Sequence, residues 1–315
     1  MGDEQPRLPD GVVIVDKPAG MTSHDVVQRA RRALGRAYAG GRRRHGHRVG
    51  HTGTLDPAAT GVLVVCVGRA TRLVPFLQAG RKTYDARMQL GRTTTTLDAE
   101  GEVVAEHDAA HIDEQQVCEA LKHFVGPIEQ IPPMVSAVKV DGERLHVRAR
   151  RGEQVERAPR PVVIHDLVLE DFVPGSRAEV GFLVSCSAGT YVRTLADDIG
   201  RVLGVGGHLT TLRRLASGGA RIGDAVTLED LEAAIARHEL ADLLVSPAAA
   251  MAMADYPTVV LDDDAVIRLI HGRPLPPTGF DGPVAALDGA GRLVAVLTDR
   301  DDQARSQVVL ASAVT

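Results

Sequence analysis

The sequence predicts an α+β fold followed by a small β-rich domain. Apolar runs and alternating segments, typical of strands, are interspersed with segments whose apolar residues recur at helical spacing. These elements do not follow the regular strand–helix–strand order of a doubly wound parallel sheet, which favours the α+β class. Apolar residues make up 44% of the 315 residues, with no Trp, 4 Tyr and 5 Phe. The predicted core is therefore aliphatic.

Each element is predicted from its periodicity and from the residues that end it. Residues 62–67 form a continuous apolar run, which suits a buried strand, and over 83–90 apolar residues alternate with polar ones, which suits a half-buried strand. Gly204 is a residue that commonly ends a helix. In chain order we expect a strand over 11–15, a helix over 24–34 capped by Thr22 or Ser23, a loop over 35–48, strands over 62–67 and 83–90, a helix over 113–124, strands over 135–140, 161–172 and 179–187, and helices over 192–203 and 227–238, the last continuing to 244.

The composition changes near residue 250. Residues 248–254 are rich in Ala and Met, and short apolar segments at 258–261, 284–287 and 292–297 follow, separated by Gly and Pro. We therefore predict one domain over 1–250 and a small β-rich domain over 251–315.

The charge of the chain is unevenly distributed. The net charge is −5, yet no acidic residue stands between Asp25 and Asp56. That window holds a run of arginines and histidines, and its densest part is a basic segment at about 36–48. One interpretation is a solvated, flexible loop. The other is a phosphate-binding patch, which needs such one-sided charge and would let an acidic protein hold RNA or DNA.

Several classes of protein are excluded by missing patterns. No apolar run approaches the roughly 18 to 20 residues that cross a bilayer, and the first residues lack the order of a signal peptide. The three cysteines have no CxxC spacing, and the sequence has no HExxH, P-loop or GxSxG motif. We expect a soluble cytoplasmic protein, and the net negative charge with few aromatic residues favours a monomer.

The segment 50–61 is the densest candidate for chemistry. Its glycines and Pro57 predict an irregular loop, and Pro57 pushes Asp56 toward an extended backbone. A carboxylate on a loop pinned by Leu55 could act as nucleophile or general base. The alternative is an Asx-turn in which Asp56 caps the following turn.

Two further residues have both a functional and a structural interpretation. Arg193 is predicted in the first turn of a helix, where a cation is unfavourable unless it pairs with a carboxylate or phosphate. Tyr84 opens an alternating strand behind two cations and could stack on a base. A surface arginine and an ordinary strand tyrosine are the alternatives.

Taken together, these motifs resemble the TruB family of tRNA pseudouridine synthases. The resemblance covers the chain in order to about residue 245, and the tail is more loosely similar to the PUA-type RNA-binding domain. It is carried by VDKPAGMTS at 15–23, the loop at 50–61, KTY at 82–84, LGRTTTTLDAEG at 90–101, QIPP at 130–133 with SAVK at 136–139, GTYVR at 189–193 and LRRL at 212–215.

The resemblance implies a catalytic domain with a mixed or antiparallel sheet flanked by helices and a PUA-like tail. It implies isomerisation of uridine 55 in the T loop of tRNA to pseudouridine by base flipping, without metal or cofactor. By resemblance, Asp56 is the essential carboxylate, Arg193 pairs with it and Tyr84 stacks on the flipped base. His51, Tyr191, Lys17 and Leu212 line the substrate site.

The implied partner is the T stem-loop of tRNA, with no membrane and no required protein partner. The segment before Gly50 is longer than is usual in the family, and we expect it to add phosphate contacts. Candidate RNA contacts are Arg42, Arg43, Arg44, Arg48, Lys82 and Lys139. The alternative function is an RNA-binding or tRNA-folding module without turnover, which would not need Asp56.

Overall fold

The structure, a computed structural model, describes residues 8–38, 47–136, 139–140, 142–145, 148, 151, 153 and 155–311. The helices are α1 Ser23–Ala37, α2 Val74–Leu77, α3 Glu114–Lys122, α4 Val192–Val202, α5 Leu228–Ala236, α6 Leu240–Leu243, α7 Pro247–Met253 and α8 Asp263–Ile270, with 3-10 turns at Gly68–Leu73 and Ile222–Asp224.

The strands are β1 Gly11–Lys17, β2 Val49–His51, β3 Thr60–Val67, β4 Lys82–Leu90, β5 Arg92–Thr94, β6 Val103–Glu106, β7 Gly126–Gln130, β8 Lys139–Val140, β9 Glu143–Arg144, β10 Arg160–Val173, β11 Glu179–Cys186, β12 Gly207–Ser217, β13 Ala220–Arg221, β14 Val226–Thr227, β15 Thr258–Val260, β16 Val284–Leu287, β17 Leu293–Arg300 and β18 Gln303–Val309. The chain divides into unit 1, Met1–Gly80 with Ala216–Thr315, and unit 2, Arg81–Leu215.

Unit 1 is built around β1, which is buried on both faces. It pairs antiparallel with β3 and parallel with β14, so this sheet is mixed. Val13 and Val15 pack with α1 and α5, while Val12 and Ile14 pack toward α7 and the last strands. Successive strand residues point to opposite faces, so a strand covered on both sides reads as a continuous apolar run.

Unit 1 also contains a four-stranded sheet in the order β15-β16-β17-β18. β15 and β16 are parallel, and the other neighbours are antiparallel. Leu269 of α8 packs with Ala286 and Val294 of this sheet. The sheet lies entirely behind the predicted boundary near residue 250, and that boundary remains our proposal.

Unit 2 contains the sheet order β12-β4-β11-β10-β7. The three pairs from β4 to β7 along this order are antiparallel. β4 shows the predicted alternation, because its residues from Lys82 onward alternate between buried and more exposed positions. α3 lies against β10 and α4 against β4. The predicted α+β class is confirmed.

Three of the predicted elements differ in the structure. α1 continues to Ala37, so the predicted loop begins later. The strand predicted over 135–140 is wrong at residues 135 and 136, because the chain bends there and Arg193 binds the carbonyl of Val135. The helix predicted through 244 is broken at His238, whose φ is +61°. The amide of Glu239 donates to the carbonyl of Ala234 over 2.8 Å, which closes the helix end.

Candidate active site

The loop that carries Asp56 connects β2 to β3 in unit 1. Leu55 is buried, and Asp56 beside it is half-buried. The amide of Ala59 donates to the carbonyl of Asp56 over 3.1 Å, which makes a tight turn at Pro57. The apolar anchor therefore fixes the backbone directly before the carboxylate.

Ser23, the first residue of α1, braces this loop from the side. Its hydroxyl donates to the carbonyl of Leu55 over 3.1 Å, and the amide of Leu55 donates to the Oγ of Ser23 over 2.8 Å. Ser23 is buried, so both bonds are shielded from water. The helix start is itself fixed by a capping box between Thr22 and Asp25.

Lys17 braces the loop from the other side. This side chain is fully buried at the end of β1, and its Nζ donates to the carbonyls of Pro18, Met21 and Pro57 over 2.8, 2.6 and 3.2 Å. The amide of Gly20 donates to the carbonyl of Pro57 as well, over 2.9 Å. The resemblance placed Lys17 in the substrate site, and the structure places its ammonium against the backbone of the Asp56 loop.

His51 ends β2 at the start of the same loop and is half-buried. The amide of Gly53 donates to its Nδ1 over 3.3 Å. This bond makes Nδ1 an acceptor, so the ring is held in one orientation at the mouth of the loop.

Replacing Ser23 by Ala tests the bracing of the loop. We expect the free energy of unfolding to fall by about 1–3 kcal/mol, because the buried amide and carbonyl of Leu55 both lose their partner. Urea denaturation measures this change. Ser306→Ala, at an exposed position of β18, is the matched control and should leave stability within about 0.5 kcal/mol of the original. Equal stability of the two variants would contradict the bracing role.

In unit 2, Arg193 lies in the first turn of α4 and is buried. Its NH1 donates to the carbonyl of Thr96 and to Oδ2 of Asp98, each over 3.0 Å, and its NH2 donates to the carbonyl of Val135 over 2.9 Å. Three of the five N–H groups of the guanidinium are used by these bonds. The helix start tolerates this cation because it is paired with the carboxylate of Asp98.

Asp98 is the acidic partner of Arg193 in unit 2 and was not among the predicted site residues. It follows Leu97, whose φ of +63° lies in the left-handed region that a branched side chain rarely adopts. The Oδ1 of Asp98 accepts from the hydroxyl of Thr96 and from the amide of Glu100. Strain at such a position, held by several bonds, is typical of functional sites. The signal available in the sequence was the motif at 90–101, which contains Asp98.

Tyr84 and Lys82 lie on the same face of β4, and both are buried. Burial and, to a lesser extent, the neighbouring positive charge of Arg214 lower the pKa of Lys82 to about 8. The amino group therefore loses its proton more readily than that of an exposed lysine. Because Lys82 was predicted to contact RNA, such a contact requires a nucleotide that reaches this buried position.

The other predicted residues of unit 2 have defined surroundings. Gln130, which is buried, holds the backbone of Tyr191 from both directions: the Tyr191 amide donates to its Oε1 over 2.9 Å, and its Nε2 donates to the Tyr191 carbonyl over 3.2 Å. The side chain of Tyr191 is half-buried at the start of α4. Leu212 lies half-buried in β12.

The structure thus gathers the predicted residues into two groups. Lys17 and Ser23 hold the Asp56 loop in unit 1, and Arg193 is held by Asp98 in unit 2. The predicted pairing of Asp56 with Arg193 links the two groups and remains a prediction. Arg48 is exposed, whereas Arg42, Arg43, Arg44 and the side chain of Lys139 lie outside the part that the structure describes.

The described residues form neither a cluster of metal-ligating side chains nor a membrane-spanning helix. Within them, no three His, Cys, Asp or Glu side chains are grouped so as to hold a metal ion. None of the helices formed by these residues is long and apolar enough to span a membrane.

Comparison with known proteins adds family evidence to this geometry. Residues 42–192 match the family described as TruB family pseudouridylate synthase (N terminal domain). Residues 193–251 match the tRNA pseudouridylate synthase B C-terminal domain, and residues 256–311 match tRNA Pseudouridine synthase II, C terminal. These three matches cover most of the chain.

Curated relatives and solved structures agree with the family models. The tRNA pseudouridine synthase B of Thermobifida fusca is 45% identical over 309 residues, covering 96% of this chain and 99% of the relative. That of Symbiobacterium thermophilum is 52% identical over 263 residues, covering 84% and 82%. A chain solved in a Cbf5-Nop10-Gar1 complex aligns with a TM-score of 0.72 at 27% identity, covering 96% of this chain and 85% of its own.

Proposed function

Because the chain belongs to the TruB family and is a tRNA pseudouridine synthase, we propose that it isomerises uridine 55 in the T loop with Asp56 as the essential carboxylate. The observation that carries this proposal is the bracing of the Asp56 loop by Lys17 and Ser23. Catalysis gains when a reacting group is fixed before the substrate arrives.

The reaction is balanced within one nucleotide. The bond between N1 and C1′ breaks, the uracil turns, and a bond forms between C5 and C1′. C5 loses its proton and N1 gains one, so the composition of the RNA does not change. The uridine must leave the stack first, which costs least in a loop that is not base-paired.

Three roles fit a fixed carboxylate at position 56. It can attack C1′, attack C6, or remove the proton on C2′ so that the base leaves with formation of a glycal. All three need the ionised carboxylate, and a neighbouring guanidinium favours that form by lowering the pKa of the carboxyl. We propose Arg193 for this role, because its guanidinium is buried and fixed by three bonds.

The remaining site residues hold the flipped uracil. We propose that Tyr84 stacks on the base, since its ring belongs to a rigid strand, and that it is the candidate to accept the proton from C5. His51 fills the gap that the base leaves in the loop, and Tyr191 and Leu212 line the pocket. The protein is proposed to act on the T stem-loop as a cytoplasmic monomer.

Position mapping tests the proposed substrate. A tRNA transcript labelled with tritium at C5 of every uridine should release one tritium per molecule, because only the uridine that forms a bond at C5 loses its label. Replacing uridine 55 by cytidine should abolish release. Replacing another uridine of the T loop is the matched control and should leave the release at one. Equal release from the transcript with cytidine 55 would overturn the proposed position.

A further inference from the structure

A groove of about 510 Å³ lies between α1 and α5 of unit 1. Arg29, Arg32 and Arg36 of α1 line it together with Glu232 of α5. Small side chains, those of Ala33, Ala37 and Ala236, complete the lining. A groove lined by arginines and small side chains leaves room for a bulky anion.

The charges of this groove do not cancel. Arg29 is paired, since its Nε donates to Oε1 of Glu232 over 2.8 Å, its NH2 bonds the other oxygen, and its NH1 lies 3.4 Å from Glu229. Hydrogen bonding to Arg29 lowers the pKa of Glu232, so that this group is a carboxylate at neutral pH. Arg32 and Arg36 are exposed, and neither forms an ion pair with a residue that the structure describes.

The groove and the Asp56 loop are both attached to α1. Ser23, at the start of this helix, is bonded to Leu55 beside Asp56. With a rise of 1.5 Å per residue, Arg32 and Arg36 lie about 14 and 20 Å further along the axis, roughly 6 Å from each other. An RNA that delivers a nucleotide to Asp56 extends well beyond that distance.

We propose that this groove binds backbone phosphates of the RNA substrate at a distance from the reacting uridine. The proposal rests on the proposed function, which places that uridine at Asp56. Arginine suits the role because its planar guanidinium contacts two phosphate oxygens at once and is always charged. RNA is favoured over an acidic protein because tRNA is the substrate of the family, and because α1 and the chain after it carry no acid between Asp25 and Asp56.

The double variant Arg32→Gln/Arg36→Gln tests the site through the salt dependence of tRNA binding. Each lost phosphate contact should lower the slope of log K against log salt by about 0.7–0.9, so the double variant should lose about 1.4–1.8. Filter binding of unmodified tRNA between 50 and 200 mM salt measures the slope. Arg32→Lys/Arg36→Lys should keep most of it, because the charge is retained.

Lys122→Gln/Arg160→Gln removes the same charge from exposed positions of unit 2 and is the matched control. The proposal predicts an unchanged slope for this control. A slope of the original size in the groove variant would overturn the proposal, and so would an equal loss of slope in the control. A groove that binds an acidic protein instead of RNA would leave the slope of the groove variant at its original size. If the double variant unfolds at a lower temperature, each single variant should lose about 0.7–0.9 of slope.

Failure of this site is distinguishable from failure of the proposed function. The groove experiment reads binding alone, whereas tritium release from uridine 55 reads turnover. If the protein releases tritium from uridine 55 but the groove variant has an unchanged salt slope, the proposed function stands and the proposed phosphate site is wrong.

Discussion

Asp56→Asn is expected to abolish pseudouridine formation while tRNA binding is retained. The amide has nearly the shape of the carboxylate but cannot act as a nucleophile or as a base. Loss of such a group costs at least about 10³-fold in rate. The bonds from Lys17 to the carbonyl of Pro57 and between Ser23 and the backbone of Leu55 do not use the side chain at position 56, so they survive the change. Tritium release under single turnover measures the rate, and filter binding measures the affinity.

The control for this variant is Asp108→Asn. Asp108 is an exposed carboxylate whose Oδ1 accepts from the amide of Ala110 over 2.9 Å, a bond that an asparagine oxygen can keep. This control should turn over at the original rate. Retention of activity in Asp56→Asn would contradict the proposed mechanism and would favour an RNA-binding or tRNA-folding role for this loop.

Arg193→Gln is expected to have the second largest effect, a loss of about 10²–10³-fold in the single-turnover rate. The glutamine cannot supply the fixed positive charge that we propose favours the ionised form of Asp56, and effects of one preorganised donor are commonly of this size. It also leaves Asp98 without its buried cation, so a lower unfolding temperature is expected. The rate should therefore be measured well below that temperature.

Two further variants separate charge from folding at this position. Arg201→Gln lies on the same helix, where the arginine pairs with Asp197 and Asp198 at the surface, and should change neither rate nor stability by much. Asp98→Asn keeps an acceptor for Arg193 but removes the charge, and its rate should fall by about 10–100-fold while Arg193 stays in place. A rate for Arg193→Gln equal to that of the Arg201→Gln control would contradict the assignment.

Periodicity in the sequence was enough to predict most of the elements that position the site. β3 is a continuous apolar run because both of its faces are covered, whereas β4 alternates because one face is more exposed. β12 was missed because threonines and arginines interrupt its apolar residues, and Arg214 is fully buried there. An arginine in a sequence predicts an exposed position, and its burial can be foreseen only when the groups around it are known.

The motifs that contain the candidate site residues could be predicted from the sequence, but most contacts between those residues could not. Asp56, Tyr84 and Arg193 could be chosen because the residue types and their order resemble a known family. The bonds from Ser23 to Leu55 and from Arg193 to Asp98 join residues far apart in the chain, and spacing within one sequence does not indicate such pairs. Nor does spacing indicate that the ammonium of Lys17, which the resemblance assigned to the substrate site, donates to the carbonyl of Pro57.

A crystal structure of Asp56→Asn bound to an unmodified T stem-loop is the most direct test of the central claim. We predict that uridine 55 lies outside the base stack, with the side chain at position 56 within about 3.5 Å of C1′, C6 or C2′. A complex in which uridine 55 stays stacked in its loop, or in which a different side chain meets these atoms, would contradict the account.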